Sequence, residues 1–135
     1  MKACHIEFVT LFNFRLQRGA PLIEQVQFAS IRAILRGEYQ PGQPFPSVRA
    51  IAAGLKIHPN TAHKVIQSLI EDGWLETRVG IGTLVATAPR TRSGDWRKLL
   101  RDDLDRLVIK ARSNELSLAD VLGELTAKWS EFKAS

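Results

Sequence analysis

Between Ser47 and Thr83 the chain carries side chains whose chemistry matches the base edges and phosphates of duplex DNA. Asn60 and Gln67 each hold a donor and an acceptor on one planar amide, the pattern that pairs bidentately with adenine. Thr61 can bond a base or touch a thymine methyl, and Lys64 can reach a guanine or a phosphate. His58, His63 and Ser68 add polar groups to the same stretch. Arg49, two residues after Ser47, would bring a guanidinium to a helix start, where free N–H groups also attract phosphate. Further on, Arg78 and Thr83 place donors beside Gly80 and Gly82, and glycine allows close approach of a backbone to a groove. Taken singly, each of these is equally an ordinary solvated residue or a hairpin glycine, so the elements that position them must decide.

Hydrophobic periodicity defines those elements. Leu22, Ile23, Val26, Ala29, Ile31, Ile34 and Leu35 form a helical stripe that stops at Gly37. Residues 37–46 hold two glycines and three prolines and favour neither helix nor strand. Ser47 stands as an N-cap before Val48, Ile51, Ala52 and Leu55, a short second helix that weakens at Gly54. A turn at 56–58 leads to Pro59, which suits the first turn of a helix. Ala62, Val65, Ile66, Leu69 and Ile70 then form one apolar face as far as Asp72. Segments 74–78 and 83–87 look extended, with Val79, Gly80, Ile81 and Gly82 as the loop between them. A short helix, a tight turn, a longer helix and a hairpin describe a winged helix-turn-helix. Its third helix would expose Asn60, Thr61, His63, Lys64, Gln67 and Ser68. Upstream, Phe12, Phe14 and Leu16 alternate with Asn13 and Arg15, the pattern of a short strand or extended arm.

Composition bounds the alternatives. The 135 residues carry 19 Lys plus Arg against 14 Asp plus Glu, a net charge of +5, and 44% hydrophobic residues. That suits one globular domain, or a small domain with an appendage, and a polyanion partner is compatible with the charge without being required by it. Cys4 is the only cysteine, which excludes an intramolecular disulfide and a multi-cysteine zinc site and fits a reducing cytoplasm. No apolar stretch is long enough to span a membrane, and no clean signal peptide is present. His5, His58 and His63 are scattered, and no nucleotide-binding glycine motif follows a strand. Glu38, Asp102, Asp103 and Asp105 read as solvated charges or helix-dipole partners. The expectation is a non-enzyme with no catalytic residues, no metal and no cofactor.

The remainder of the chain reads as a linker, 88–95, and a helical tail, 96–135, after a first domain at 1–87. Trp96, Leu99, Leu100, Leu104, Leu107, Val108 and Ala111 share one face of the first tail helix. Leu118, Val121, Leu122, Leu125, Trp129 and Phe132 share one face of the second, with Ser117 and Asp120 as a capping box at its start. Two such helices are too few to close a core. Their apolar faces are expected to pair with a second copy of the chain, a two-fold contact in which one patch meets itself. The competing expectation is that they fold back on the first helix.

The runs Pro21–Val26, Gly37–Gly42, Phe45–Arg49, Ile57–Thr61 and Gly80–Val85, in that order, resemble the GntR family of winged helix-turn-helix regulators over residues 12 to 86. The Pro-Asn-Thr opening of the third helix and the short tail are similar to the YtrA-like branch, small dimeric bacterial repressors often concerned with transporter operons. The resemblance implies a mainly α fold with a small β-hairpin wing, followed by a two-helix dimerisation region. It implies that Arg49, Asn60, Thr61 and Lys64 face DNA and that Gly80 approaches the minor groove. Val79 and Ile81 depart from it, because many relatives carry Arg or Lys there, and Arg90, Arg92, Arg97 and Lys98 are candidates to compensate. The expected function is a homodimeric regulator, a repressor by resemblance, on an inverted-repeat DNA operator. A protein-interaction module on the same scaffold, or a sensor binding a small-molecule effector where two tails meet, are the alternatives.

Overall fold

The computed structural model describes residues 11–87 and 94–132, which divide into two compact units at that break. The amino-terminal segment with Cys4 and His5, and the linker arginines Arg90 and Arg92, lie outside the described residues. In chain order the elements are α1 (Leu22–Leu35), α2 (Val48–Leu55), α3 (Pro59–Glu71), β1 (Leu75–Arg78), β2 (Gly82–Val85), α4 (Trp96–Ser113) and α5 (Leu118–Glu131). The architecture is mainly helical with one antiparallel hairpin, the winged helix-turn-helix layout.

In the first unit the helical periodicities converge on one core. Val26, Ala29 and Ala33 of α1, Ile51, Ala52 and Leu55 of α2, and Ala62, Val65, Ile66 and Leu69 of α3 are all buried, together with Leu75 and Val85 of the hairpin. Ser30 is buried among them and satisfied, its Oγ donating to the Val26 carbonyl at 2.8 Å. Local signals set the helix ends. Gly37, with φ +84°, closes α1 in a Schellman motif: its N–H donates to the Ile34 carbonyl and that of Glu38 to the Ala33 carbonyl. Gly73 plays the same part after α3. α2 runs through Gly54 and ends one residue later at Leu55, and a Cβ at Gly54 would meet the Leu11 side chain at 3.4 Å, an ordinary van der Waals contact.

Residues 12–16 do not form the expected strand or arm. Leu11–Asn13 is a single tight turn with Phe12 at φ 62° and ψ 14°, closed by the Phe14 N–H donating to the Leu11 carbonyl at 3.1 Å. The physical reason is aromatic packing: the Phe12 ring stacks on Phe45 at 5.5 Å and meets Tyr39 edge-on at 5.9 Å. Arg32 holds the turn from below by donating to the Phe12 carbonyl at 3.3 Å. Burial in this cluster raises the Tyr39 pKa above its ordinary value, with the Glu38 charge adding to the effect.

The hairpin is shorter than its sequence pattern. β1 and β2 pair in the register Leu75↔Val85, Glu76↔Leu84, Thr77↔Thr83 and Arg78↔Gly82, so Gly82 belongs to the strand and only Val79, Gly80 and Ile81 form the turn. The Pro-rich loop contributes where composition gave no sign: Pro44 bridges Leu84 along the outer edge of β2. The Phe45 N–H donates to the Thr83 carbonyl and the Val85 N–H to the Gln43 carbonyl, both at 2.9 Å.

The second unit is a helical hairpin. Asp95 caps α4, its Oδ1 accepting from the Lys98 N–H at 3.2 Å. At the start of α5 the capping box forms: Ser117 Oγ accepts from the Asp120 N–H at 3.0 Å and Asp120 Oδ2 from the Ser117 N–H at 2.9 Å. Ala111 is the one buried side chain among the described residues of this unit.

Candidate nucleic-acid interface

α2 and α3 form the helix-turn-helix. Ser47 Oγ accepts from the Ala50 N–H at 3.1 Å, starting α2 and fixing Arg49 in its first turn, exposed. Lys56 turns the chain in a left-handed conformation, φ 58°, and the Ile57 N–H donates back to the Ala52 carbonyl at 3.0 Å. His58 then caps α3: its Nδ1 accepts from the Asn60 N–H at 3.0 Å. His58 is exposed beside the opening turn of α3, where anions are favoured by the helix dipole.

With Ala62, Val65, Ile66 and Leu69 turned into the core, α3 presents Asn60, His63, Lys64 and Gln67 to solvent. Thr61 is half-buried. Ser68 departs from the outward set suggested by the sequence, because its hydroxyl is held by Gln27 Nε2 across the α1–α3 contact and the residue is half-buried. Among the described residues nothing partners the side chains of Arg49, Asn60, His63 and Lys64, so their hydrogen-bonding capacity is directed outward.

The wing supplies the rest of the candidate set. Gly80 and Gly82 are exposed with φ 82° and φ 113°, and Thr83 is half-buried. Arg78 is exposed but engaged, its Nη2 3.1 Å from Glu76 Oε2 two residues back on β1. A surface ion pair of this kind is worth about 0 to 1 kcal/mol, little enough for Arg78 to exchange it for a phosphate. Val79 and Ile81 stand at the tip, exposed.

No three His, Cys, Asp or Glu side chains gather among the described residues in a way that would hold a metal ion. In the second unit an open groove of about 650 Å³ is lined from α4 by Leu107, Lys110 and Ala111 and from α5 by Val121, Glu124, Leu125 and Lys128. Trp96, Leu100, Leu104, Leu107, Leu118, Leu122, Leu125 and Trp129 are all exposed, Trp129 to 80%. The guanidinium of Arg97 lies over the Trp96 ring at 4.5 Å.

Comparison with known proteins gives a consistent picture. Residues 22–85 match the family described as bacterial regulatory proteins, gntR family. The HTH-type transcriptional repressor YtrA of Bacillus subtilis (strain 168) is 30% identical over 94 residues, 69% of this chain and 72% of that protein. The uncharacterized HTH-type transcriptional regulator YhcF of the same organism is 29% identical over 108 residues, 80% of this chain and 89% of that one. Among solved structures, a transcriptional antiterminator from Listeria monocytogenes EGD-e superposes with a TM-score of 0.69 at 22% identity, covering 87% of this chain and 89% of that chain, a likeness of fold.

Proposed function

This chain belongs to the GntR family of bacterial regulatory proteins, and from that membership we propose that it is a repressor that binds an inverted-repeat DNA operator as a homodimer. As a family member it is a DNA-binding transcriptional regulator and not an enzyme. The observation that carries the finer reading is the outward polar set, Arg49 at the start of α2 and Asn60, His63 and Lys64 on α3, mounted on helices whose inner faces share one core. Rigid mounting matters, because base readout requires side chains held in register with the major groove while neighbouring groups grip phosphate. In this reading Asn60, Thr61 and Lys64 meet bases. Ser47, Arg49, His58 and His63 lie against the backbone or the groove edge, and Arg78, Gly80, Gly82 and Thr83 bring the wing alongside.

Dimerisation is assigned to the second unit. Leu118, Leu122, Leu125 and Trp129 recur at alternating spacings of four and three, a coiled-coil seam, and Trp96, Leu100, Leu104 and Leu107 line the companion helix. A hairpin that leaves all eight exposed has not buried its own apolar surface, and a second hairpin related by a two-fold axis would cover it. The dimer would offer two α3 helices to half-sites about 34 Å apart, one turn of the duplex. Repression would follow by occlusion of a promoter in the cytoplasm. Among the described residues no helix is long and apolar enough to cross a membrane. The groove between α4 and α5 favours a second reading for the tail, since about 300 to 1,000 Å³ is the size of small-ligand sites. An effector bound there would be lost on truncation after Thr87.

The test is fluorescence-anisotropy titration of the full chain against DNA upstream of its own gene and against a scrambled duplex of equal length, at several salt concentrations. The proposal expects the native segment to bind about a thousandfold more tightly or better, the lower range for specific sites. Equal, steeply salt-dependent binding to both, together with the same result for duplexes enriched from a random pool, would overturn it.

A further inference from the structure

Beyond Arg78 at the end of β1, the hairpin carries no cationic side chain that could grip phosphate. From Trp74 to Thr87 the only charged side chains are Glu76 and Arg78, and they pair with each other at 3.1 Å, so the hairpin has no net charge. At the turn, closed by the Ile81 N–H donating to the Arg78 carbonyl at 3.0 Å, two β-branched apolar side chains flank Gly80. Val79 is 100% exposed and Ile81 64%. Neither serves the core. The ribbon that carries them is nevertheless firmly based: the Ala86 N–H donates to the Trp74 carbonyl, and Gln43 and Phe45 pair along the outer edge of β2. An anchored ribbon four residues long on each side thus holds apolar groups out at its far end, in the same unit as the helix that exposes Asn60 and Lys64.

We propose that Val79 and Ile81 form an apolar probe of the DNA minor groove, selecting A·T-rich sequence at the wing position by shape and desolvation and not by charge. This rests on the DNA-binding reading above. The minor groove is about 6 Å wide, and a G·C pair differs there from A·T by the guanine N2 amino group on its floor. Methyl groups pressed into the groove are held off by that amino group and strip water from a donor to which they give no partner in return. Over A·T pairs the floor carries no such projection, and apolar wedges are an established way for proteins to engage this groove. Val79 and Ile81 carry no charge and release no counterions, so their own contribution, as distinct from that of Arg78, should be insensitive to salt.

The experiment uses the full chain and a duplex enriched by it from a random pool, with binding read by anisotropy. In that duplex the base pairs flanking the α3 half-site are changed from A·T to G·C, and separately to I·C, which keeps the G·C major-groove face but lacks the minor-groove amino group. G·C should weaken binding about tenfold, the lower end of what an altered base pair costs, and I·C should restore it. Val79→Ala with Ile81→Ala should weaken binding to the A·T duplex several-fold, abolish the G·C discrimination and leave the salt slope unchanged. Val79→Lys with Ile81→Lys should steepen the log–log salt slope by about 0.9 for each phosphate newly contacted. I·C binding as weakly as G·C, or an alanine variant with undiminished affinity and discrimination, would overturn the proposal while leaving DNA binding intact. A random pool from which the full chain enriches nothing would instead remove the DNA-binding reading on which it stands.

Discussion

Arg49 and Asn60 are exposed and pack against nothing in the core, so truncating them removes hydrogen-bonding capacity without opening a cavity. Arg49→Ala or Asn60→Ala is therefore expected to cost about 1 to 3 kcal/mol in operator binding with the thermal midpoint unchanged. Unaltered affinity in both variants would remove the docking geometry. His58 belongs to a different category although it lies two residues from Asn60. Because its Nδ1 caps α3, His58→Ala should lower folding stability by about 1 kcal/mol, and His58→Asp or His58→Ser, which also accept from a helix N–H, should recover most of it. Chemical denaturation of the three variants checks this. A polar residue at a helix start thus has two roles that sequence alone does not separate: its type and position suit DNA, and its structural role emerges from a 3.0 Å hydrogen bond.

Among the elements, the start of α5 has a sign-defined dependence on pH. Asp120 accepts from the Ser117 N–H and lies near the Ser117 hydroxyl, and these hydrogen bonds hold its carboxyl below the ordinary value of 3.8. A depressed folded-state pKa means the stabilisation is present in full above the unfolded value and is lost as pH falls through the folded one. The amide of Ser117 should accordingly lose protection from hydrogen exchange only in the acid range below about pH 4, where an ordinary aspartate titrates. Asp120→Asn should abolish that acid step, and an identical acid profile in the variant would show that another group is responsible. The hairpin illustrates the opposite dependence on context. Its strands are only four residues each, a length that is marginal for an isolated ribbon, and the edge pairing from Gln43 to Phe45 makes up the deficit.

For the whole molecule the decisive question is what covers the exposed seam of α4 and α5. Leu122→Asp with Leu125→Asp places charge on that seam at two side chains that are 51% and 46% exposed. On the two-fold interface proposed above, light scattering should then report monomers, and operator affinity should fall because one half-site contact would no longer assist the other. Truncation after Thr87 should do the same while leaving the core of the first unit folded, since every residue of that core precedes the cut. A fragment that still dimerises would place the interface in the first unit.

Much of this molecule follows from signals a few residues long. Helical period 3.6 dictated that Ala62, Val65, Ile66 and Leu69 turn inward and that Asn60, His63 and Lys64 turn outward, and Gly37, Ser47, Pro59 and the Ser117–Asp120 pair set helix ends where local backbone geometry demands them. What the sequence could not decide were contacts between distant segments. The turn at Phe12 reads as extended in the sequence, because its left-handed backbone is selected by rings at Tyr39 and Phe45. Ser68 reads as an outward hydroxyl until Gln27, forty-one positions away, takes it, and the Pro44 segment becomes an edge partner of β2 only because Phe45 is drawn into the core. Local propensity is set by near neighbours along the chain, whereas these three features depend on which surfaces meet after collapse, and only packing in three dimensions determines that.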